Sequence, residues 1–145
     1  MLEEIRINEE LVAILIGKDM QHDGIRFFTP PSLSQQLAFM SHPAGKTIKA
    51  HVHNRVERNV EYTQEVLFIR RGKLRIDFYD KNRKYYQSRV AGAGDVLLLI
   101  GGGHGFQVLE DVEMFEVKQG PYVGEDDKTQ FEGVAGEDVR IGGKS

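Results

Sequence analysis

The sequence predicts an all-β domain, on three observations. Short apolar runs recur at near-regular spacing along the 145 residues, and polar or glycine-containing breaks separate them. Glycine is frequent, with 16 residues, while proline occurs only four times. No long stretch follows the 3.6-residue period of an amphipathic helix. Many short strands joined by turns are typical of a β-sandwich or a double-sheet barrel.

Each apolar run predicts one strand. The first is ambiguous, because Glu9, Glu10 and Leu11 favour a short helix over 8–16, whereas the apolar run 11–17 equally favours a strand. Residues 78–86 predict a β-hairpin, since a polar stretch separates two aromatic-containing runs. Gly, Asp or Asn stands at most other breaks, where turns favour them. The later predicted strands are 26–28, 36–41, 46–53, 65–71, 73–79, 85–90, 96–100, 105–109 and 112–118.

The composition limits the binding partners and the cellular compartment that can be expected for this protein. The net charge of −3 gives no support for a nucleic-acid partner, which usually shows as a basic domain. The absence of cysteine excludes a disulfide framework and a thiolate zinc site. No secretory signal is evident at the N-terminus, and apolar runs such as 96–100 are too short to span a bilayer. We therefore expect no membrane partner and a cytoplasmic location.

Three segments are expected within a single domain. Residues 1–44 would supply N-terminal strands that pack on a barrel, and residues 45–132 would form the barrel core. Residues 133–145 are poor in bulky side chains and predict a loosely ordered tail. Val139 and Ile141 would alternatively let this tail add an edge strand.

Three histidines and one glutamate form a candidate metal site. His51 and His53 are two positions apart, so on a strand they point to the same face of the sheet. Glu65 begins the next strand and His104 precedes a later one, and in a barrel both could join the pair. Imidazole and carboxylate together suit a divalent transition metal such as Fe, Mn, Zn or Ni. An ion held this way would keep open positions for water or a small polar ligand.

Other titratable residues have simpler interpretations. An isolated His-x-His pair at a surface is two solvated side chains unless further ligands join it. His22 and His42 have no partner at ligand spacing and are interpreted as loop residues. The acidic run at 125–127 predicts a solvated loop rather than a second metal site.

The segments around these residues resemble two cupin motifs. Residues 45–53 read Gly-x5-His-x-His, like the opening of the first motif, and residues 65–72 read Glu-x6-Gly, like its close. Residues 94–106 resemble the second motif, with His104 as its histidine. Eleven residues separate His53 from Glu65, more than in most cupins, so Glu57 and Glu61 are kept as alternative carboxylate ligands. The second motif lacks its usual proline and asparagine.

The resemblance implies a double-stranded β-helix, the jelly-roll barrel of cupins, with His51, His53, Glu65 and His104 as metal ligands. It implies a protein that acts on or binds a small polar molecule, and it leaves open whether the protein is an enzyme. Small cupins are commonly dimers, so a homodimer is expected. Candidates for a proton-transferring residue near the metal are Tyr62, Gln64, Arg75 and Tyr79.

Two alternatives come from different functional classes. One is a metal-independent sugar-nucleotide isomerase or epimerase of surface-polysaccharide synthesis, in which His51 or His53 would act as the base. The other is a non-catalytic cupin that only binds a ligand. Activity that survives metal removal would favour the first, and a metal site without turnover would favour the second.

Overall fold

A computed structural model describes residues 1–143 of the chain, which form two compact units. The first unit comprises Met1–Met20 and the chain from Thr63 onward, and the second comprises Gln21–Tyr62. The prediction of an all-β protein is confirmed, because every regular element of the described chain except two short 3-10 helices is a strand. The strands are β1 (Leu2–Ile7), β2 (Glu10–Ile16), β3 (Gly24–Phe27), β4 (Ala38–Ser41), β5 (Glu65–Tyr79), β6 (Tyr85–Gly92), β7 (Val96–Leu99) and β8 (Gly103–Lys118). The 3-10 helices are Gly124–Asp127 and Gly136–Asp138.

The first unit is a curled antiparallel sheet that forms a half-barrel. Its strands follow the order β1-β2-β7-β5-β6, and β8 pairs with β5. The core lies in this unit. The second half of β1 alternates buried apolar residues with exposed polar ones, as in a strand with one solvated face, whereas β2 and β7 are apolar and buried along most of their length. The largest fully buried side chains include Phe78, Ile69, Leu74 and Leu97.

The chain opens with a hairpin rather than a helix. β1 pairs with β2 from Leu2 opposite Ile16 to Ile7 opposite Glu10. Asn8 and Glu9 connect the strands with φ angles of 50° and 68°, the left-handed values that tight hairpin turns need. The helical interpretation of 8–16 is therefore wrong, and β1 is a strand that the sequence pattern missed.

The β5–β8 ladder is longer than the sequence pattern predicted. Residues 65–71 and 73–79 belong to one strand of 15 residues, and 105–109 and 112–118 belong to one strand of 16. The register shifts between Ile69 and Leu74, where Gly72 adopts a φ of 82°. The first half of β5 pairs with β7 and the second half with β6, so the irregularity bends the ladder without ending it.

The predicted hairpin at 78–86 is confirmed by the pairing of β5 with β6. The Asp80 carboxylate accepts hydrogen bonds from the backbone N–H groups of Asn82 and Lys84, at 2.8 and 2.9 Å, and this stabilises the turn. Beyond it, the C-terminal segment makes an isolated parallel bridge between Ile141 and Ser88. The predicted edge strand of the tail is thus reduced to a single bridge, and residues 144 and 145 lie outside the described chain.

The second unit contains one small hairpin, β3–β4, with Gly24 opposite Ser41. The Gln36 side chain donates to the carbonyls of Pro30 and Leu33 and so closes the connecting loop. Residues 46–53, predicted as a strand, form no regular element in the structure and are exposed. In residues 1–143, no helix has the length and apolar character needed to cross a membrane.

Candidate functional site

Glu65 and His104 meet although they lie at opposite ends of the β5–β8 ladder. Glu65 stands opposite Lys118, whereas His104 stands opposite Phe78, 13 positions further along β5. A straight ladder of that length would separate them by about 40 Å at about 3.3 Å per residue. Instead, Nε2 of His104 lies 3.4 Å from Oε2 of Glu65. The bend around Gly72 therefore creates this site.

A chain of polar contacts extends from the Glu65–His104 pair. Nζ of Lys118 lies 3.4 Å from the second carboxylate oxygen of Glu65 and 3.0 Å from Oδ2 of Asp127. The hydroxyl of Thr63 donates a short hydrogen bond to Oδ1 of Asp127. All five residues belong to the first unit. They form a continuous network of two carboxylates, one amine, one hydroxyl and one imidazole.

The carboxylates of this network are its best-covered members. The side chains of Glu65 and Asp127 are 15% and 17% exposed, and those of His104 and Lys118 are 32% and 34% exposed. The imidazole and the amine therefore face solvent more than the two carboxylates do. A small polar molecule could reach His104 and Lys118 without passing through the core.

Hydrogen bonding shifts the pKa values of the network in the directions expected for ionised groups. The hydrogen bond with His104 lowers the pKa of Glu65, and Lys118 adds to this, against the opposing effect of burial. The contact with Asp127 raises the pKa of Lys118, and the hydrogen bond from Thr63 lowers the pKa of Asp127. Glu65, Asp127 and Lys118 are thus all charged at neutral pH.

Phe106 forms an aromatic wall beside His104. The two ring centroids are 5.3 Å apart with the rings tilted by 46°. Phe106 is 41% exposed and Val108 is 51% exposed, so the residues that alternate with His104 along β8 do not form a buried lining. On β5, by contrast, Leu67 and Ile69, which alternate with Glu65, are buried in the core.

The other two predicted ligands, His51 and His53, lie in the second unit. Their ring centroids are 5.3 Å apart in an edge-to-face arrangement, so the two imidazoles are neighbours without a strand to align them. Nδ1 of His51 lies 2.9 Å from the carbonyl oxygen of Lys49, and this contact leaves its Nε2 available. The alternative ligands Glu57 and Glu61 are exposed in the same irregular segment.

His51 and His53 thus lie close together within the second unit, and Glu65 and His104 lie close together within the first. Over residues 1–143, no group of three or more His, Cys, Asp or Glu side chains has an arrangement that could hold a metal ion. The four-ligand set of His51, His53, Glu65 and His104 stays a prediction from sequence.

Sequence interpretation missed three members of the network: Thr63, Lys118 and Asp127. The run at 125–127 was interpreted as a solvated loop, which is wrong for Asp127 because its carboxylate binds Lys118 and Thr63. No sequence spacing signals these contacts, since they depend on where the 3-10 helix after β8 returns the chain. Glu125 and Asp126 are exposed, as predicted.

The candidates for a proton-transferring residue have other partners. The Arg75 guanidinium donates two hydrogen bonds to Asp77, at 2.8 and 3.0 Å. The Tyr79 hydroxyl accepts a hydrogen bond from the backbone N–H of Val134. Gln64 is buried, and Tyr62 is exposed in the second unit. Arg75 and Tyr79 therefore have structural roles.

Comparisons with known proteins give no relative. No protein-family model matches the chain, no curated protein matches it, and no solved structure matches its fold.

Proposed function

We propose that this chain is a small metal-binding protein of the cupin type, which holds one divalent transition metal and acts on or binds a small polar molecule. The ligands would be His51, His53, Glu65 and His104, and the metal would be Fe, Mn, Zn or Ni. The observation that carries the proposal is the contact between Glu65 and His104. Two predicted ligands from opposite ends of a long ladder lie side by side.

The chemistry of the pair supports this assignment. An ionised carboxylate beside an imidazole supplies one oxygen and one nitrogen ligand, a combination that suits divalent first-row metals. Lys118 does not block the site, because its amine lies closer to Asp127 than to Glu65. Glu65 can turn toward a cation while Lys118 keeps its charge partner.

A metal-independent acid–base function is the second candidate. The low pKa of Glu65 keeps its carboxylate ionised, and an ionised carboxylate orients a neighbouring imidazole as a base. This observation favours His104 over His51 or His53 as the base of a sugar-nucleotide isomerase or epimerase. A non-catalytic cupin that only binds its ligand would use the same residues without turnover.

The test is the metal content and metal affinity of the purified protein, measured by elemental analysis and by competition with a chelating indicator. We expect about one equivalent of one metal per chain, and at least about a tenfold loss of affinity in Glu65→Gln, in His104→Ala and in His51→Ala/His53→Ala. The matched control is His22→Ala/His42→Ala, which removes two exposed histidines of the same unit as His51.

The outcomes separate the candidates. Loss of metal in all three variants but not in the control supports the proposed ligand set. A native protein that takes up no metal after incubation with each of the four ions refutes it, and activity on sugar nucleotides that depends on His104 would then favour acid–base chemistry.

A further inference from the structure

The C-terminal segment lies on β6 in the manner of a bound peptide. The N–H of Ser88 donates to the carbonyl of Arg140 at 2.9 Å, and the N–H of Gly142 donates to the carbonyl of Ser88 at 2.9 Å. These two hydrogen bonds form the parallel bridge between Ser88 and Ile141, in which a strand edge binds alternate residues of an extended chain. No residue from 131 to 143 is buried, so this segment adds little to the apolar core.

β6 also provides a specific position for the side chain of Arg140. The Tyr85 hydroxyl accepts a hydrogen bond from the N–H of Arg140 at 2.8 Å. The Arg140 guanidinium lies over the Tyr85 ring, with its Cζ 5.4 Å from the ring centroid, and donates to the carbonyl of Tyr86 at 2.7 Å. An arginine in this position therefore gains a cation–π contact and a hydrogen bond to a backbone acceptor.

The position of Gly142, two residues further on, has no room for a side chain. A Cβ there would overlap the Arg89 guanidinium and lie 2.6 Å from Oε1 of Gln87. The guanidinium is held in place because it donates to Glu3 at 2.9 Å and to Gln87 at 3.1 Å. Between these two positions, Ile141 is 58% exposed, so the edge sets no requirement for its side chain. The edge of β6 therefore favours an extended chain with the pattern Arg-x-Gly.

The edge of β6 is longer than the segment that occupies it. Over the described residues, β5 is the only strand that pairs with β6. Val90 lies two positions beyond Ser88, so its backbone groups face the same side, but in residues 1–143 the bridge on that side involves Ser88 alone. The C-terminal segment does not continue along the edge, because Gly143 has a φ of 118° and ends the extended conformation. A longer extended peptide could pair with both Ser88 and Val90.

We propose that the edge of β6 is a recognition site for an extended Arg-x-Gly segment of another protein, and that residues 139–142 of this chain occupy it as an internal competitor. In recognition by strand addition, backbone hydrogen bonds give affinity and side-chain positions give specificity, and β6 provides both. The site lies within the first unit and uses neither Glu65 nor His104. It is therefore independent of the proposed metal function.

Binding of a fluorescein-labelled peptide of residues 136–143 to the full chain, measured by fluorescence anisotropy, tests this proposal. In the variant Arg140→Ala/Gly142→Val, the internal segment fits the edge poorly while β6 itself is unchanged. We expect this variant to bind the peptide at least about tenfold more tightly than the native chain, because the site is free in a larger fraction of the molecules. The matched control is Glu137→Ala, an exposed residue outside the bridge, which should bind the peptide as the native chain does.

Substituted peptides test the recognised pattern, on both the double variant and the native chain. Arg140→Ala and Gly142→Val in the peptide should each weaken binding by at least about tenfold, whereas Ile141→Thr should leave it nearly unchanged. Two results would overturn the proposal. One is a double variant that binds the peptide no more tightly than the native chain does, and the other is a Gly142→Val peptide that binds as well as the unaltered one. In either case residues 139–142 would be only a structural covering of β6.

Discussion

Replacement of Gly72 by alanine should open the bend that brings Glu65 to His104. Gly72 has a φ of 82°, in the left-handed region that residues with a Cβ rarely adopt. A Cβ at this position would overlap the carbonyl oxygen of Asp111 and lie 3.0 Å from that of Glu110. Both carbonyls belong to β8, so the clash can be relieved only if the two strands of the ladder separate there.

The expected cost follows from two effects. A left-handed conformation costs an alanine about 1–2 kcal/mol relative to glycine. Forcing a methyl group against packed backbone adds about 1–3 kcal/mol. We therefore expect Gly72→Ala to lower the free energy of unfolding by about 2–5 kcal/mol, a large part of the stability of a domain this size.

The assay is urea unfolding followed by far-UV circular dichroism, with Gly101→Ala as the matched control. Gly101 has no atom within 4 Å of an added Cβ, so its replacement should leave stability nearly unchanged. Metal affinity, measured on folded protein, should fall in Gly72→Ala because Glu65 and His104 move apart. If Gly72→Ala is as stable as Gly101→Ala, the bend does not depend on this glycine and the reasoning is wrong.

Two further predictions concern the network and the C-terminal segment. The pKa of Asp127 is lowered from 3.8, so its ion pair stabilises the fold above that pH, and this stabilisation is lost as pH falls through the lower folded pKa. Asp127→Asn should therefore reduce the urea midpoint at pH 7, and the difference from the native protein should disappear in acid. The exposed control Asp126→Asn should show no such pH dependence. The Tyr85 hydroxyl contacts Ser88 Oγ at 2.8 Å and accepts from the Arg140 N–H at 2.8 Å. Tyr85→Phe should cost about 1–2 kcal/mol and speed amide exchange at Arg140, and unchanged exchange would show that this hydroxyl does not hold the C-terminal segment.

Local patterns predicted most strands of this chain, and the failures have identifiable causes. β7 and the β5–β6 hairpin were predicted because their apolar runs end at strong turn residues. β1 was missed because its glutamates and arginine interrupt the apolar pattern. Gly72 predicts a break between two strands because glycine is common in turns. Glycine also occurs in β-bulges, where the strand continues. The local sequence is the same in both cases, and only pairing with a third strand distinguishes a turn from a bulge. Residues 46–53 have a strand pattern but no neighbour to pair with.

The candidate site shows the same division between local and long-range information. The spacing of the motifs selected Glu65 and His104, and the bend brings these two together. Motif spacing could not select Lys118 or Asp127, because nothing near Lys118 in the sequence indicates that its amine lies between two carboxylates. The position of Lys118 between two carboxylates affects how Glu65 can bind a cation. A cation that takes the Glu65 carboxylate would displace Lys118, and Asp127, at 3.0 Å, already provides the charge that receives it. The Glu65 carboxylate can therefore be released to a cation while Lys118 stays paired with a carboxylate, and a half-buried charge left without a partner would be costly.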